Sequence, residues 1–205
     1  MIVIVDYGLG NLGSIKNMLK KIGVESEITG DLDKINSATK LILPGVGAFD
    51  NGMQNLNDLK LTQVLNDRVI NNKIPILGIC LGMQLMTKSS EEGVLPGLGW
   101  VEAVTLKFNF PEGEKRLTVP HMGWEIVKQE KQSKLLEGMY NDPRFYFVHS
   151  YFVKANDQAD VLLTTFYGNE YVSGFEKGNI LGVQFHPEKS HKYGMVLLKN
   201  FVTHY

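Results

Sequence analysis

Apolar residues in the first eighty positions fall in short blocks separated by stretches with helical spacing. Blocks at 1–6, roughly 24–28, 40–43 and 74–79 predict strands, whereas 12–21, 48–56 and 60–72 place apolar residues three and four apart and predict helices. Strands that alternate with helices imply a parallel sheet, because each parallel connection must cross over and its helix then covers a sheet face. Ligands on such sheets gather at the carboxyl ends of the strands. From about residue 100 the pattern changes to β-like pieces near 100–108, 124–128, 145–153, 161–166, 171–176 and 180–185, followed by a closing helix over 190–203. The fold predicted is therefore α/β, a central mostly parallel sheet flanked by helices with an additional β-rich segment in the second half. With no internal repeat and no low-complexity linker, 1–205 is expected to form one domain. Phe110-Pro111-Glu112-Gly113-Glu114 reads as a surface loop.

The lone cysteine sits where this pattern changes from strand to helix. Ile74, Ile76, Leu77 and Ile79 form the strand, with Pro75 near its start, and Met83, Gln84, Leu85 and Met86 favour helix, so Cys80 in Gly78-Ile79-Cys80-Leu81-Gly82 lies on the bend. A sharp bend needs neighbours without a Cβ, and glycines on both sides lift the reactive atom above the sheet end. The helix that follows offers unpaired N–H groups and a positive dipole end, which favour thiolate and can hold an oxyanion. A free cysteine is also commonly a small buried hydrophobe. What separates the two readings is a base, and Gln184-Phe185-His186-Pro187-Glu188-Lys189 offers one at the end of the last predicted strand. A thiol needs an imidazole to accept its proton, and the imidazole needs a carboxylate to fix its tautomer, so Cys80, His186 and Glu188 form a candidate catalytic set. A His-x-Glu pair alone is more often a solvated loop.

Pro44-Gly45-Val46-Gly47 follows the strand 40–43 and belongs at the same edge. It is an ordinary strand-ending turn unless a nucleophile stands beside it, when the Val46 peptide is free to turn inward and donate its N–H to an oxyanion alongside Leu81 N–H. Gly8-Leu9-Gly10-Asn11-Leu12-Gly13 satisfies the dinucleotide-binding pattern, and Asp31 and Asp33 stand near the spacing of a ribose ligand. The same turn chemistry also serves tight packing alone, and a triad would compete for this edge.

Composition narrows the function classes without naming one. With 21 Lys and Arg against 22 acidic residues, no strong field points to nucleic acid or an anionic membrane. One cysteine excludes an internal disulfide framework, and the chain start lacks the basic n-region of a secretory signal, so a cytoplasmic setting is expected. No apolar stretch approaches the roughly 20 residues of a membrane helix. His121, His149, His186 and His191 are scattered without ligand spacing, so no metal is expected. His121 lacks a carboxylate at the spacing that flanks His186.

Gly78-Ile79-Cys80-Leu81-Gly82-Met83-Gln84, Gln184-Phe185-His186-Pro187-Glu188-Lys189-Ser190 and Pro44-Gly45-Val46-Gly47 together resemble the class I (triad) glutamine amidotransferases. Asp6-Tyr7-Gly8-Leu9-Gly10-Asn11, Pro120-His121-Met122-Gly123-Trp124 and Phe147-Val148-His149-Ser150-Tyr151 resemble one branch, the glutaminase subunits of imidazole glycerol phosphate synthase. The likeness runs from end to end. It implies a flavodoxin-like fold, no cofactor, and glutamine hydrolysis by Cys80, His186 and Glu188, with Val46 and Leu81 at the oxyanion. It further implies glutamine binding by Gln84 and Glu92, with His149, Ser150 and Tyr151 near the α-carboxylate and α-amino groups. On residue type alone, Gln84 and Glu92 read as surface polar residues and His149-Ser150 as a strand end. The likeness also implies a heterodimer with a (β/α)8 synthase/cyclase that receives ammonia for histidine biosynthesis, docked near Asn11, Trp124, Tyr146 and Lys189. Two departures, Glu125 in place of Asn and bulky His191-Lys192-Tyr193 in place of small residues, are similar to a paralogous set that feeds a related partner in surface-sugar amidination. An inert subunit that kept only the fold is a further alternative, against which the intact triad speaks.

Overall fold

The computed structural model describes residues 1–110 and 117–205, so most of the loop expected at 110–114 lies outside the described residues. Five parallel strands form the body of the sheet: β1 (Ile2–Val5), β2 (Ser26–Thr29), β3 (Lys40–Gly45), β4 (Ile76–Cys80) and, from the far end of the chain, β12 (Ile180–Val183), in the order β2-β1-β3-β4-β12. Burial on both faces explains why β1, β3, β4 and β12 read as apolar runs, whereas β2 (Ser-Glu-Ile-Thr), at the sheet edge, is only half-buried. Along β1, Ile2 and Ile4 enter one core and Val3 and Val5 the other. The helices over those cores are α1 (Leu12–Lys21), α2 (Leu32–Ser37), α3 (Phe49–Asp58), α4 (Leu61–Asn66), α5 (Leu81–Leu85) and α6 (His191–His204). On α1, Ile15, Met18 and Leu19 are buried at helical spacing, each contributing about 1.5–3 kcal/mol by leaving water.

The second half extends the sheet with antiparallel strands. Beyond β12 come β11 (Asn169–Lys177), β10 (Val161–Tyr167) and β7 (Lys128–Gln129), while β5 (Ala103–Lys107) pairs with β9 (Tyr151–Ala155), which meets β11 at Val153. Separately, β6 (His121–Ile126) and β8 (Arg144–His149) form a two-stranded ribbon. The single strand expected at 145–153 is thus two strands broken at Ser150, because the chain there leaves the ribbon for the main sheet. The strand expected at 124–128 begins at His121 and keeps its pairing with β8 through Ile126.

Two further differences have local causes. The sequence pattern predicts no helix at 32–37, because only Leu32 and Ile35 are apolar; α2 forms nonetheless, its first turn capped by Asp31, which accepts Lys34 N–H at 3.0 Å. That cap engages Asp31, one of the two carboxylates offered for a dinucleotide ribose. The helix expected over 60–72 is regular to Asn66 and finishes as a wider π-type turn over Asp67–Asn71. Among the described residues, no helix is long and apolar enough to cross a membrane.

Candidate active site

Pairing register brings three strand ends together. Gly45 of β3 lies opposite Cys80 of β4, and Ile79 lies opposite Val183 of β12, three residues before His186. Cys80 itself adopts φ 55° and ψ −113°, a backbone conformation costly for a residue with a Cβ, of order 1–3 kcal/mol. The flanking glycines are required by contact. A Cβ on Gly82 would stand 1.8 Å from Leu43 O, and one on Gly78 would stand 2.9 Å from Gly82 O. The bend therefore survives only with hydrogen at both positions, and it holds the thiol at the mouth of α5 with 7% of Cys80 exposed.

His186 reaches the sulfur from the turn after β12. Its Nδ1 contacts Glu188 Oε1 at 2.8 Å, and both side chains are almost fully buried. Burial works against charge on this imidazole, but the neighbouring Cys80 sulfur and the Glu188 carboxylate outweigh it and push the pKa up to about 10. Nε2 and the sulfur couple electrostatically although their contact falls short of ordinary hydrogen-bond geometry. The backbone of this turn is pinned to the ribbon: His186 N–H donates to Tyr146 O at 2.9 Å, Tyr146 N–H donates to Ser190 Oγ at 3.0 Å, and Ser190 Oγ donates to His186 O at 2.6 Å.

A cavity of about 360 Å³ opens above the sulfur, lined by Val46, Leu81, Gln84, Glu92, His149, Ser150, Tyr151 and His186, with Gly47, Pro120 and Val148 completing it. Every residue expected to bind glutamine or hold the oxyanion reaches this space. Gln84 is held by its amide, whose Nε2 donates to Tyr151 O and to Gln184 Oε1, both at 3.0 Å. Gln184 Nε2 in turn reaches Cys80 Sγ at 3.8 Å. Sequence reasoning missed Gln184 as a site residue, although its place two positions before His186 was a usable signal. Glu92 Oε2 accepts the N–H of Phe49 at 2.9 Å.

His149 lines the cavity with both its ring nitrogens engaged inside the protein. Nδ1 donates to Tyr151 O at 2.7 Å, so Nε2 is the acceptor, 3.1 Å from His121 Nδ1 and 3.3 Å from Tyr171 Oη. Burial drives its pKa down to about 3 and that of His121 to about 4, so both are neutral near pH 7. The Nδ1–H bond of His149 to Tyr151 O ties the ring to the backbone beside the cavity. Among the described residues no three His, Cys, Asp or Glu side chains converge to hold a metal ion.

Outside the cavity mouth, Met122, Trp124 and Ile126 form an exposed apolar row on β6. Trp124 packs edge-on against Tyr146 and stacks flat on His191, with ring centroids 5.5 Å apart, and Lys189 Nζ stands 5.6 Å from the Tyr146 ring. Asn11 precedes α1, which packs against the 187–189 turn.

A thiol on a strand-to-helix bend, coupled to an imidazole–carboxylate pair from a later strand, is equipped to form and hydrolyse a thioester. The family model described as glutamine amidotransferase class-I matches residues 3–205, and the chain belongs to that family. Among individual relatives it is 55% identical over 202 residues to a Methanococcus maripaludis protein named imidazole glycerol phosphate synthase subunit HisH 2, with 98% of each chain covered. It is 46% identical to a Pseudomonas aeruginosa protein of the same name, again over 98% of each. The fold is similar to one in the structure of PurLQS from Thermotoga maritima, with a TM-score of 0.72 at 18% identity, covering 98% of this chain and 96% of that one.

Proposed function

We propose that the protein is the glutaminase subunit of an imidazole glycerol phosphate synthase. The observation that carries this reading is Cys80 coupled to His186–Glu188 on the floor of a cavity that Gln84, Glu92 and Ser150 share. The Cys80 thiolate attacks the side-chain amide carbon of glutamine, forming the C–S bond, while Val46 and Leu81 N–H groups stabilise the oxyanion. His186, oriented by Glu188, protonates the departing ammonia, then takes a proton from water as it attacks the thioester, and glutamate leaves. Gln84, Glu92, Ser150 and Tyr151 hold the amino-acid end of the substrate, and His149 sets the backbone they share. No cofactor takes part.

Ammonia is the useful product. Relatives named as synthase subunits support a heterodimer with a (β/α)8 synthase/cyclase, docked across the face that carries Asn11, Trp124, Tyr146 and Lys189, with ammonia passed directly to it. Residues 1–205 act as one domain in the cytoplasm, the ten-stranded sheet spanning both halves. One observation favours the surface-sugar acceptor as a second reading: His191, one of the departures from the histidine-pathway pattern, stacks on Trp124 within the docking face.

The test is glutamate release by the purified protein with its synthase partner and acceptor nucleotide. Cys80→Ser should abolish it while ammonia-fed synthesis by the partner survives. Undiminished glutamine turnover in that variant removes Cys80 from the mechanism, and histidine-independent growth of a strain lacking the gene and any second copy removes the histidine assignment.

A further inference from the structure

The turn that carries Val46 and the loop that carries Glu92 are joined by an exchange of two carboxylates. Val46 and Gly47 lead through Ala48 into α3, and Ala48, at the N-cap, has no side-chain oxygen with which to cap the helix. Glu92 supplies that group from a distance of 43 residues, its Oε2 accepting Phe49 N–H at 2.9 Å. The return contact comes from Asp50, the next residue of α3. Its carboxylate accepts Val94 N–H at 2.9 Å (Oδ2) and 3.1 Å (Oδ1), and Leu95 N–H at 3.0 Å (Oδ1). Gly93 makes the fit possible, since a Cβ there would stand 1.9 Å from Asp50 Oδ1.

Each segment therefore holds the other by charge-assisted bonds to backbone N–H groups, the stronger class of hydrogen bond. Both carboxylates also lie at the positive end of the α3 dipole. Glu92 faces two ways: one oxygen is committed to Phe49, and its residue lines the cavity. The loop 92–95 has few other ties to α3, because Val94 points into solvent and Glu92 N–H and Gly93 N–H bond back to Ser90.

We propose that Asp50 is a positioning residue that locks the Glu92 loop to the oxyanion turn, so that glutamine bound at Glu92 and the peptide at Val46 are held in one geometry. This rests on the glutaminase reading above. Removing Asp50 frees both partners at once: Glu92 loses its aim at the substrate, and the turn 46–48 loses the helix end that anchors it. A residue that only stabilised the fold would not split its effect in this way.

The experiment uses the protein in complex with its partner, with steady-state kinetics for glutamine and iodoacetamide alkylation of Cys80 as a probe that needs neither Glu92 nor the turn. Asp50→Ala is expected to raise KM and lower kcat, with kcat/KM down at least tenfold, and to speed hydrogen exchange at Val94 and Leu95 N–H while the alkylation rate stays within twofold. Asp50→Asn, which keeps one oxygen acceptor in nearly the same shape, should fall between wild type and Asp50→Ala, and it serves as the test if the alanine variant does not fold. Unchanged kcat and KM overturn the lock, as does an alkylation rate that falls in step with turnover. Glu92→Gln separates this failure from that of the parent reading. If Glu92→Gln leaves KM for glutamine untouched, the cavity is not the glutamine site; if it raises KM and Asp50 variants do not, only the lock is wrong.

Discussion

Glu188→Gln isolates the third member of the proposed triad with little other disturbance. Glu188 Oε1 bonds to His186 Nδ1 at 2.8 Å and Oε2 has no hydrogen-bond partner, so the substitution removes one charge-assisted bond and breaks no second contact. Such a bond contributes about 1.5–3 kcal/mol, which corresponds to roughly 10- to 150-fold in rate if it is realised in the transition state. Loss of tautomer control adds to that figure, because a carboxamide can offer either an acceptor or a donor to Nδ1. The assay is glutamate release by the complex across pH, paired with Tm of the subunit across the same range.

The sign of the stability effect follows from the direction of the shift. Folded His186 titrates at about 10 against about 6.5 in the unfolded chain, so its contribution is complete below pH 6.5 and is lost as pH rises towards 10. The Cys80 sulfur and the Glu188 carboxylate together supply this stabilisation against the cost of burial. Removing the Glu188 share should lower Tm by about 3–12 °C near pH 6.5, with the gap to wild type closing by pH 10. Turnover within threefold of wild type, or a Tm gap that does not change with pH, would refute the assigned role of the Glu188–His186 pair.

Two other substitutions probe the scaffold. Gly82→Ala puts a Cβ 1.8 Å from Leu43 O, and relieving that contact must move β3 or the bend at Cys80; a loss of about 1–3 kcal/mol, or 2–12 °C in Tm, is expected with a parallel fall in glutaminase activity, and a variant with wild-type Tm and activity would contradict the close approach. His121→Gln tests the buried histidine pair. With its pKa pushed by burial down to about 4, folded His121 stays neutral while the unfolded chain takes up a proton below pH 6.5, so stability drains as pH falls from 6.5 to 4. The variant should lose less over that window, by on the order of 3 kcal/mol, read as a lower acid-unfolding midpoint by circular dichroism; an unchanged midpoint would place the acid sensitivity elsewhere.

Legibility in the sequence followed the range of the interactions involved. The parallel strands and the bend at Cys80 were readable because their causes are local: buried faces demand apolar runs, and φ 55° beside two close backbone approaches demands Gly78 and Gly82. The triad needed pairing of two distant motifs by chemical type, which Cys80, His186 and Glu188 permit because few other residues could do the work. What stayed hidden depends on partners far along the chain. Nothing around Asp50 announces that its donors are the N–H groups of Val94 and Leu95, and the split of 145–153 at Ser150 depends on which sheet each half joins. His149 illustrates the difference most sharply, since its residue type suggests only a strand end, whereas its partners at His121 and Tyr151 tie together segments far apart along the chain.

That contrast bears on how the two halves of the chain divide the work. The parallel half delivers the thiol and the Val46 turn at fixed strand ends, positions set by register and by glycine contacts that tolerate little change. The β-rich half contributes the cavity wall and the exposed ribbon, and the His186 turn is tied to that ribbon through Tyr146 and Ser190. A shift of the ribbon would therefore reach the His186 turn through two hydrogen bonds from Tyr146, with Ser190 relaying one of them to His186 O, whereas Cys80 is seated on the parallel sheet. On the proposed docking face, a partner that gripped Trp124 and Tyr146 would act on the His186 turn before Cys80, and the departures at Glu125 and His191 lie on or beside the same ribbon.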